Sequence, residues 1–196
     1  MRLKKYIIPV FILVVLIQIV VPFKMIWDKE KVLSQGKIYR FKTAPIDPND
    51  PFRGKYIRLN FDTKLTRFPK RDSTFKTIKT VYVTYLADKD GYAQIENVYK
   101  NPPAHTDYYL EVPIAYYDYH PERSNLILTY PFTKFYMQEH KAPKAEKVYR
   151  QLTTPALHSY ATVSIYKGQA ALINVFINDK PIDAYLIEKN EAVSKE

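Results

Sequence analysis

The sequence predicts a mainly β protein: a single N-terminal transmembrane helix followed by a β-sandwich or barrel-like domain with one short helix. Three observations lead there. Tyr6–Phe23 is an apolar stretch in which Gln18 is the only strongly polar side chain. Beyond Lys37, apolar and polar residues alternate with period two in several short runs, the mark of half-buried strands. Turn-forming clusters such as Asp88-Lys89-Asp90-Gly91 and Lys167-Gly168-Gln169 separate those runs.

The anchor comes first. A bilayer core of ~30 Å needs about 20 apolar residues in a helix, and Met25, Ile26 and Trp27 extend the run to that length. Pro9 falls in the first turns, Pro22 is placed to kink the far end, and Trp27 suits the interface. Lys29–Leu33 reads as a charged extension of the same helix, stopped at Gly36. Val21-Pro22-Phe23-Lys24-Met25 has no small-x-small pair for a signal peptidase, so the reading is a retained anchor. Arg2, Lys4 and Lys5 before the span balance Lys24, Lys29 and Lys31 after it. The span's position at the extreme N-terminus favours a signal anchor in the inner, cytoplasmic membrane with the domain on the extracytoplasmic side. The expected divisions are 1–36 for anchor and extension (span 6–23), 37–190 for the domain and 191–196 for a tail.

Within the domain, Lys37–Thr43, Gly54–Phe61, Val81–Leu86, Tyr92–Tyr99, Tyr108–Tyr117 and Asn125–Tyr130 read as strands. Tyr160–Tyr166, Ala170–Ile177 and Ile182–Glu188 form an expected three-stranded meander. Eight or nine strands result. Pro113 signals an edge or a bulge. Asp62–Lys76 reads as a structureless run. Ala142–Leu152 carries apolar residues at helical spacing behind Pro143, which predicts the short helix.

Composition narrows the chemistry. Of 196 residues, 46% are hydrophobic and 15% aromatic, which excludes a disordered chain. The absence of cysteine excludes disulfides, zinc ribbons, iron–sulfur clusters and thiol catalysis. The formal charge of +10 is interspersed, with Asp62 and Asp72 among Lys64, Arg67, Lys70 and Arg71. A solvated loop near anionic lipid explains that cluster better than a nucleic-acid stripe, so no nucleic-acid partner is expected. His105, His120, His140 and His158 are isolated, so neither a metal nor a cofactor is expected. Ser34 alone lies near the anchor, without the context of a membrane signal peptidase nucleophile. Tyr108, Tyr109, Tyr116, Tyr117 and Tyr119 could make a glycan or peptide platform, against the simpler reading of strand packing on both faces.

One stretch carries more. Pro45 and Asp47-Pro48-Asn49-Asp50-Pro51 stiffen the approach to Phe52-Arg53-Gly54, where Gly54 permits a bend and Arg53 presents a planar fork for a carboxylate. Gly54-Lys55-Tyr56-Ile57-Arg58-Leu59-Asn60-Phe61 follows. This stretch resembles the motif of the GDYXXLXY family of membrane-anchored bacterial proteins. Gly54, Tyr56 and Leu59 agree; Lys55 replaces the aspartate and Phe61 the final tyrosine. Phe135-Tyr136-Met137-Gln138-Glu139, with Glu146 beyond it, is similar to the family's aromatic pair and later acidic residues. The resemblance implies a single-span protein of unassigned reaction, associated with multi-spanning membrane proteins. Lys55 favours a structural or binding role for the motif over a catalytic one.

The site expected from this reading is Arg53, Gly54, Tyr56, Leu59, Glu139 and Glu146, a binding or structural constellation with no catalytic residue. The expected function is a non-enzymatic accessory or assembly subunit, with the bilayer and a multi-spanning membrane protein as partners. The alternatives are a hydrolase acting at the membrane surface, or a glycan- or peptide-binding module.

Overall fold

The computed structural model describes residues 4–44, 56–61, 67–69, 73–120, 124–136 and 158–184. Helix α1, Lys4–Gln35, runs through Pro9 and Pro22. Its Ile8–Gln35 portion is long and apolar enough to cross a membrane, with a mean hydropathy of 2.5 over its most apolar window, none of which is buried. Twelve strands follow among the described residues: β1 Lys37–Ala44, β2 Tyr56–Arg58, β3 Asn60–Phe61, β4 Arg67–Pro69, β5 Thr80–Ala87, β6 Ala93–Tyr99, β7 Tyr109–Asp118, β8 Asn125–Leu128, β9 Lys134–Tyr136, β10 Ser159–Tyr166, β11 Gln169–Ile177 and β12 Lys180–Pro181.

They build one sheet in the order β12-β11-β10-β1-β3, another in the order β4-β8-β7-β5-β6, and a two-stranded ribbon, β2-β9. Inward residues of both five-stranded sheets share one core: Tyr39 and Phe41 of β1, Val163 and Ile165 of β10, Val83 and Tyr85 of β5, Leu110 and Val112 of β7. The sheets also touch edge to edge, through parallel bridges from Arg40 to Tyr92 and from Leu110 to Gly168. The result is a sandwich closed at two corners, as the alternation predicts.

The turns follow their residues. Asp88 organises the β5–β6 turn: its carboxylate accepts from the amides of Asp90 (3.0 Å) and Tyr92 (2.8 Å), and Gly91 supplies φ +80°. Lys167 (φ 45°) and Gly168 (φ 81°) form the two-residue turn between β10 and β11. Positive φ at both central positions matches the right-handed twist of a hairpin. Asn178 and Asp179 turn β11 into β12 in the same way.

Three expectations need correction and a fourth, at Pro113, resolves to one of its two alternatives. The motif strand is two strands, because β2 pairs with β9 while β3 pairs with β1, and the chain changes partner at Leu59. Of the two readings of Pro113, the bulge holds and the edge does not, since β7 sits between β8 and β5. The ladder accommodates it because β5 begins opposite it at Thr80 and the register of β7 on β8 shifts between Ile114 and Tyr116. Asp62–Lys76 contains β4, pairing with β8, and a 3₁₀ turn, Ser73–Lys76, that buries Phe75. The meander's third strand stops at Pro181, which lacks an N–H for a further ladder bond, and residues 182–184 turn helical with Ile182 fully buried. The helix expected over Ala142–Leu152 lies outside the described residues.

Helix and sandwich are fastened together. Val32 of α1 is buried, 2% exposed against the sheet. Its carbonyl accepts from the Gly36 amide at 3.1 Å and from the buried Ser164 hydroxyl at 2.5 Å. Lys29 Nζ donates to the Ala170 carbonyl at 3.2 Å. The last helical turns thus have partners from β10 and β11, where helix ends otherwise leave carbonyls open. A Cβ on Gly36 would strike Ser164 Oγ and the Val32 carbonyl oxygen, and the second is backbone that cannot swing aside. Gly36→Ala is therefore expected to cost about 1–3 kcal/mol, as overpacking does. Thermal unfolding of the full chain in detergent checks this, and an unchanged midpoint contradicts the close packing.

Candidate functional site

The two segments singled out in the sequence meet. Tyr56 pairs with Tyr136, Ile57 with Phe135 and Arg58 with Lys134, in an antiparallel ribbon. Leu59 follows, 1% exposed, its amide donating to the Thr133 carbonyl at 2.8 Å. Phe61, 8% exposed, enters the core edge-on against Phe41, Tyr130 and Phe132, with ring centroids 5.3–6.0 Å apart. Of the expected site, Leu59 is a core side chain and Tyr56 is a rung of the ribbon. Arg53, Gly54, Glu139 and Glu146 lie outside the described residues.

Around Leu59 and Phe61 is an aromatic centre. Phe41, fully buried, packs edge-to-face on Phe61, Tyr85, Tyr130 and Phe132. Such geometry sets ring edges against ring faces and adds to the area buried. Two phenols reach each other inside it, Tyr85 donating to Tyr130 at 3.3 Å. Burial, then the neighbouring Tyr130 phenol, pushes Tyr85 well above the ordinary tyrosine value of 10.0, and burial raises Tyr130 as well. Both stay protonated in the folded chain at a pH where the unfolded chain ionises. Above about pH 10 the unfolded state therefore binds fewer protons, and stability falls. These two phenols add no pH dependence to denaturant unfolding below that point and weaken stability above it, with a smaller alkaline loss expected in Tyr85→Phe. Equal alkaline slopes in the two proteins would contradict the assignment.

Sequence reading missed a second aromatic group, on the seam where β1 meets the start of β6. The Arg40 guanidinium lies 5.4 Å from the Tyr160 ring and Lys42 Nζ 5.8 Å from the Tyr92 ring. Tyr160 stacks on Phe176 at 5.0 Å and donates to Asp179 at 2.9 Å. Alternation of cations and aromatics across paired strands was its only sequence signal.

The other chemistry is modest. Ser34 Oγ donates to the Glu30 carbonyl at 2.7 Å within α1, which ties it to backbone. His105, His120 and His158 are exposed, and His140 lies outside the described residues. Among the described residues, no three His, Asp or Glu side chains converge as a metal centre requires. The tyrosines of β7 do not make one platform. The register shift reverses the strand's inward parity, so Tyr117 packs on the core while Tyr116 is 64% exposed. Tyr109 sits edge-on to Tyr82.

The sequence pattern of GDYXXLXY proteins matches residues 18–175. The chain belongs to the GDYXXLXY family. Searches of curated proteins and of solved structures find no match. The matched span of the family pattern contains the clamp residues Val32, Gly36 and Ser164 as well as both strands of the motif ribbon. Phe61, at the motif's final tyrosine position, keeps a ring in the aromatic centre and omits a hydroxyl that burial would oblige to find a partner.

Proposed function

We propose that this GDYXXLXY protein is a non-enzymatic accessory or assembly subunit of a multi-spanning membrane protein. In this reading residues 6–23 hold it in the inner, cytoplasmic membrane, and its sandwich stands on the extracytoplasmic face. The observation that carries it is the clamp. The helix is joined to the sandwich by the buried Val32, by Ser164 and by Lys29, without a flexible linker. A domain so joined stays at one height and angle over its span, which suits lateral docking on a neighbouring membrane protein. A tethered enzyme that must reach diffusing substrates gains nothing from it. Cross-linking in native membranes, followed by purification through a C-terminal tag, tests the proposal. A multi-spanning protein in constant stoichiometry is expected; recovery of the chain alone contradicts it.

Within this proposal the motif keeps its structural role. Arg53 precedes Tyr56 by three residues and Glu139 follows Tyr136 by three, and Tyr56 and Tyr136 are paired. We propose that Arg53 forms an ion-pair network with Glu139 and Glu146. Arg53→Ala is then expected to destabilise the domain by about 2 kcal/mol, the scale of a charge-assisted hydrogen bond. Glu139→Gln in the Arg53→Ala background should add little, whereas additive losses in a double-mutant cycle would separate the two residues.

A further inference from the structure

Where α1 meets the β10–β11 turn, a cavity of about 210 Å³ opens, lined by Asp28, Lys31, Gln35, Tyr166, Lys167 and Gln169 over the buried Val32. It is roughly the space of seven waters at ~30 Å³ each. We propose that this cavity holds the phosphodiester of a membrane phospholipid headgroup. The inference rests on α1 spanning the bilayer, and three observations carry it from there.

The first is height. The unbroken exposed apolar run of α1 ends at Trp27, 65% exposed, at the position of an interfacial aromatic, with Leu33 (46%) set apart among charged residues beyond it. At 1.5 Å per residue, Lys31 stands about 6 Å beyond it and Gln35 about 12 Å. Headgroups occupy roughly 5–8 Å on each side of a ~30 Å core. Asp28 and Lys31 on the helical wall therefore stand within the headgroup layer, and Gln35 stands just above it.

The second is charge. Asp28 is paired with Lys24 at 2.9 Å, which offsets the acid in the lining. Lys31, its Nζ 5.9 Å from the Trp27 ring, and Lys167, its Nζ 5.3 Å from the Tyr166 ring, bring cations from opposite walls. Lys167 contacts Asp107 at 3.5 Å, with both side chains 54% exposed, a surface pair loose enough to yield to a phosphate. Gln35, Gln169 and the Tyr166 hydroxyl add uncharged donors to the same lining.

The third is the backbone that aims Lys167. A lysine seldom adopts a left-handed φ, yet Lys167 holds 45° there. Its amide donates to the Asp107 carbonyl at 2.7 Å, and the Gly168 amide donates to the Tyr109 carbonyl at 2.8 Å. The turn that presents the cation is thus fixed from β7 and its approach.

The test uses the full chain in detergent micelles, titrated with phosphatidylglycerol and read by native mass spectrometry. Wild type is expected to retain one lipid per chain. Lys31→Gln/Lys167→Gln should bind it at least about tenfold more weakly, since each lysine near an anionic surface contributes on the order of a several-fold factor. Lys31→Arg/Lys167→Arg should restore retention, and Lys89→Gln on the exposed β5–β6 turn should match wild type. Equal retention by wild type and the glutamine pair overturns the proposal. So does displacement of the lipid by inorganic phosphate at equal concentration, which would make this a site for free phosphate. Resistance of the chain to urea extraction from membranes is scored separately, so a failed anchor is distinguished from an empty cavity.

Discussion

Phe41→Ala is expected to remove about 3–5 kcal/mol of stability, the range for emptying a buried aromatic position. Phe41 is fully buried in β1 and touches four rings drawn from β3, β5 and the β8–β9 connection. Alanine would leave a cavity walled by those rings. They cannot collapse inward freely, because Tyr85 and Tyr130 are tied through their hydroxyls. A domain of this size has only about 5–15 kcal/mol to lose, so the variant sits near the threshold of folding. Denaturant unfolding should show a lower midpoint at unchanged slope. A loss below about 1 kcal/mol would mean that the ring cluster does not organise the core.

Leu59→Ala is expected to cost about 2–5 kcal/mol. Leu59 is 1% exposed at the point where the chain leaves β9 and joins β1, and its amide is held by the Thr133 carbonyl. Truncation opens a void beside Phe61 in the same core and loosens the crossover between ribbon and sheet. The experiment separates two meanings of the family motif. If Leu59 contacts a ligand or partner, alanine should spare thermal unfolding and abolish partner capture. If it builds the fold, as its burial requires, stability should fall first and partner capture only in proportion to the chain left unfolded.

Much of the fold was legible because strand signals are local. Period-two alternation marks Val81, Val83 and Tyr85 as one face, and all three are buried. Lys167-Gly168 announces its hairpin because a two-residue turn demands positive φ. What escaped was short or long-range. The three residues of β4 are too few to show a period, and only pairing with β8 makes them a strand. Pro113 argues for an edge or a bulge by its missing donor, and only the register of two neighbours decides for the bulge in a sheet interior.

The site divides the same way. Tyr56, Leu59 and the Phe135–Tyr136 pair stand out by resemblance, while their meeting in one ribbon is a matter of register. The clamp was half visible. Gly36 reads as a helix stop, but Ser164 is 132 residues from the Val32 carbonyl it caps, and nothing in its neighbourhood marks it. Long-range hydrogen bonds of this kind have no sequence period to reveal them.

Both the docking role and the headgroup site require a fixed height over the membrane, and therefore a helix and sandwich that move as one body. The chain has no cysteine, so a double-cysteine variant takes two spin labels cleanly. Ile26 on α1 and Ile173 on β11 are 67% and 40% exposed and accept labels without disturbing the core. The distance between them, measured by pulsed electron resonance with the full chain in lipid nanodiscs, is expected to form one narrow distribution. In Gly36→Ala it should broaden. A broad or multi-peaked distribution in the otherwise unaltered chain would show a domain swinging on its anchor and would contradict the account.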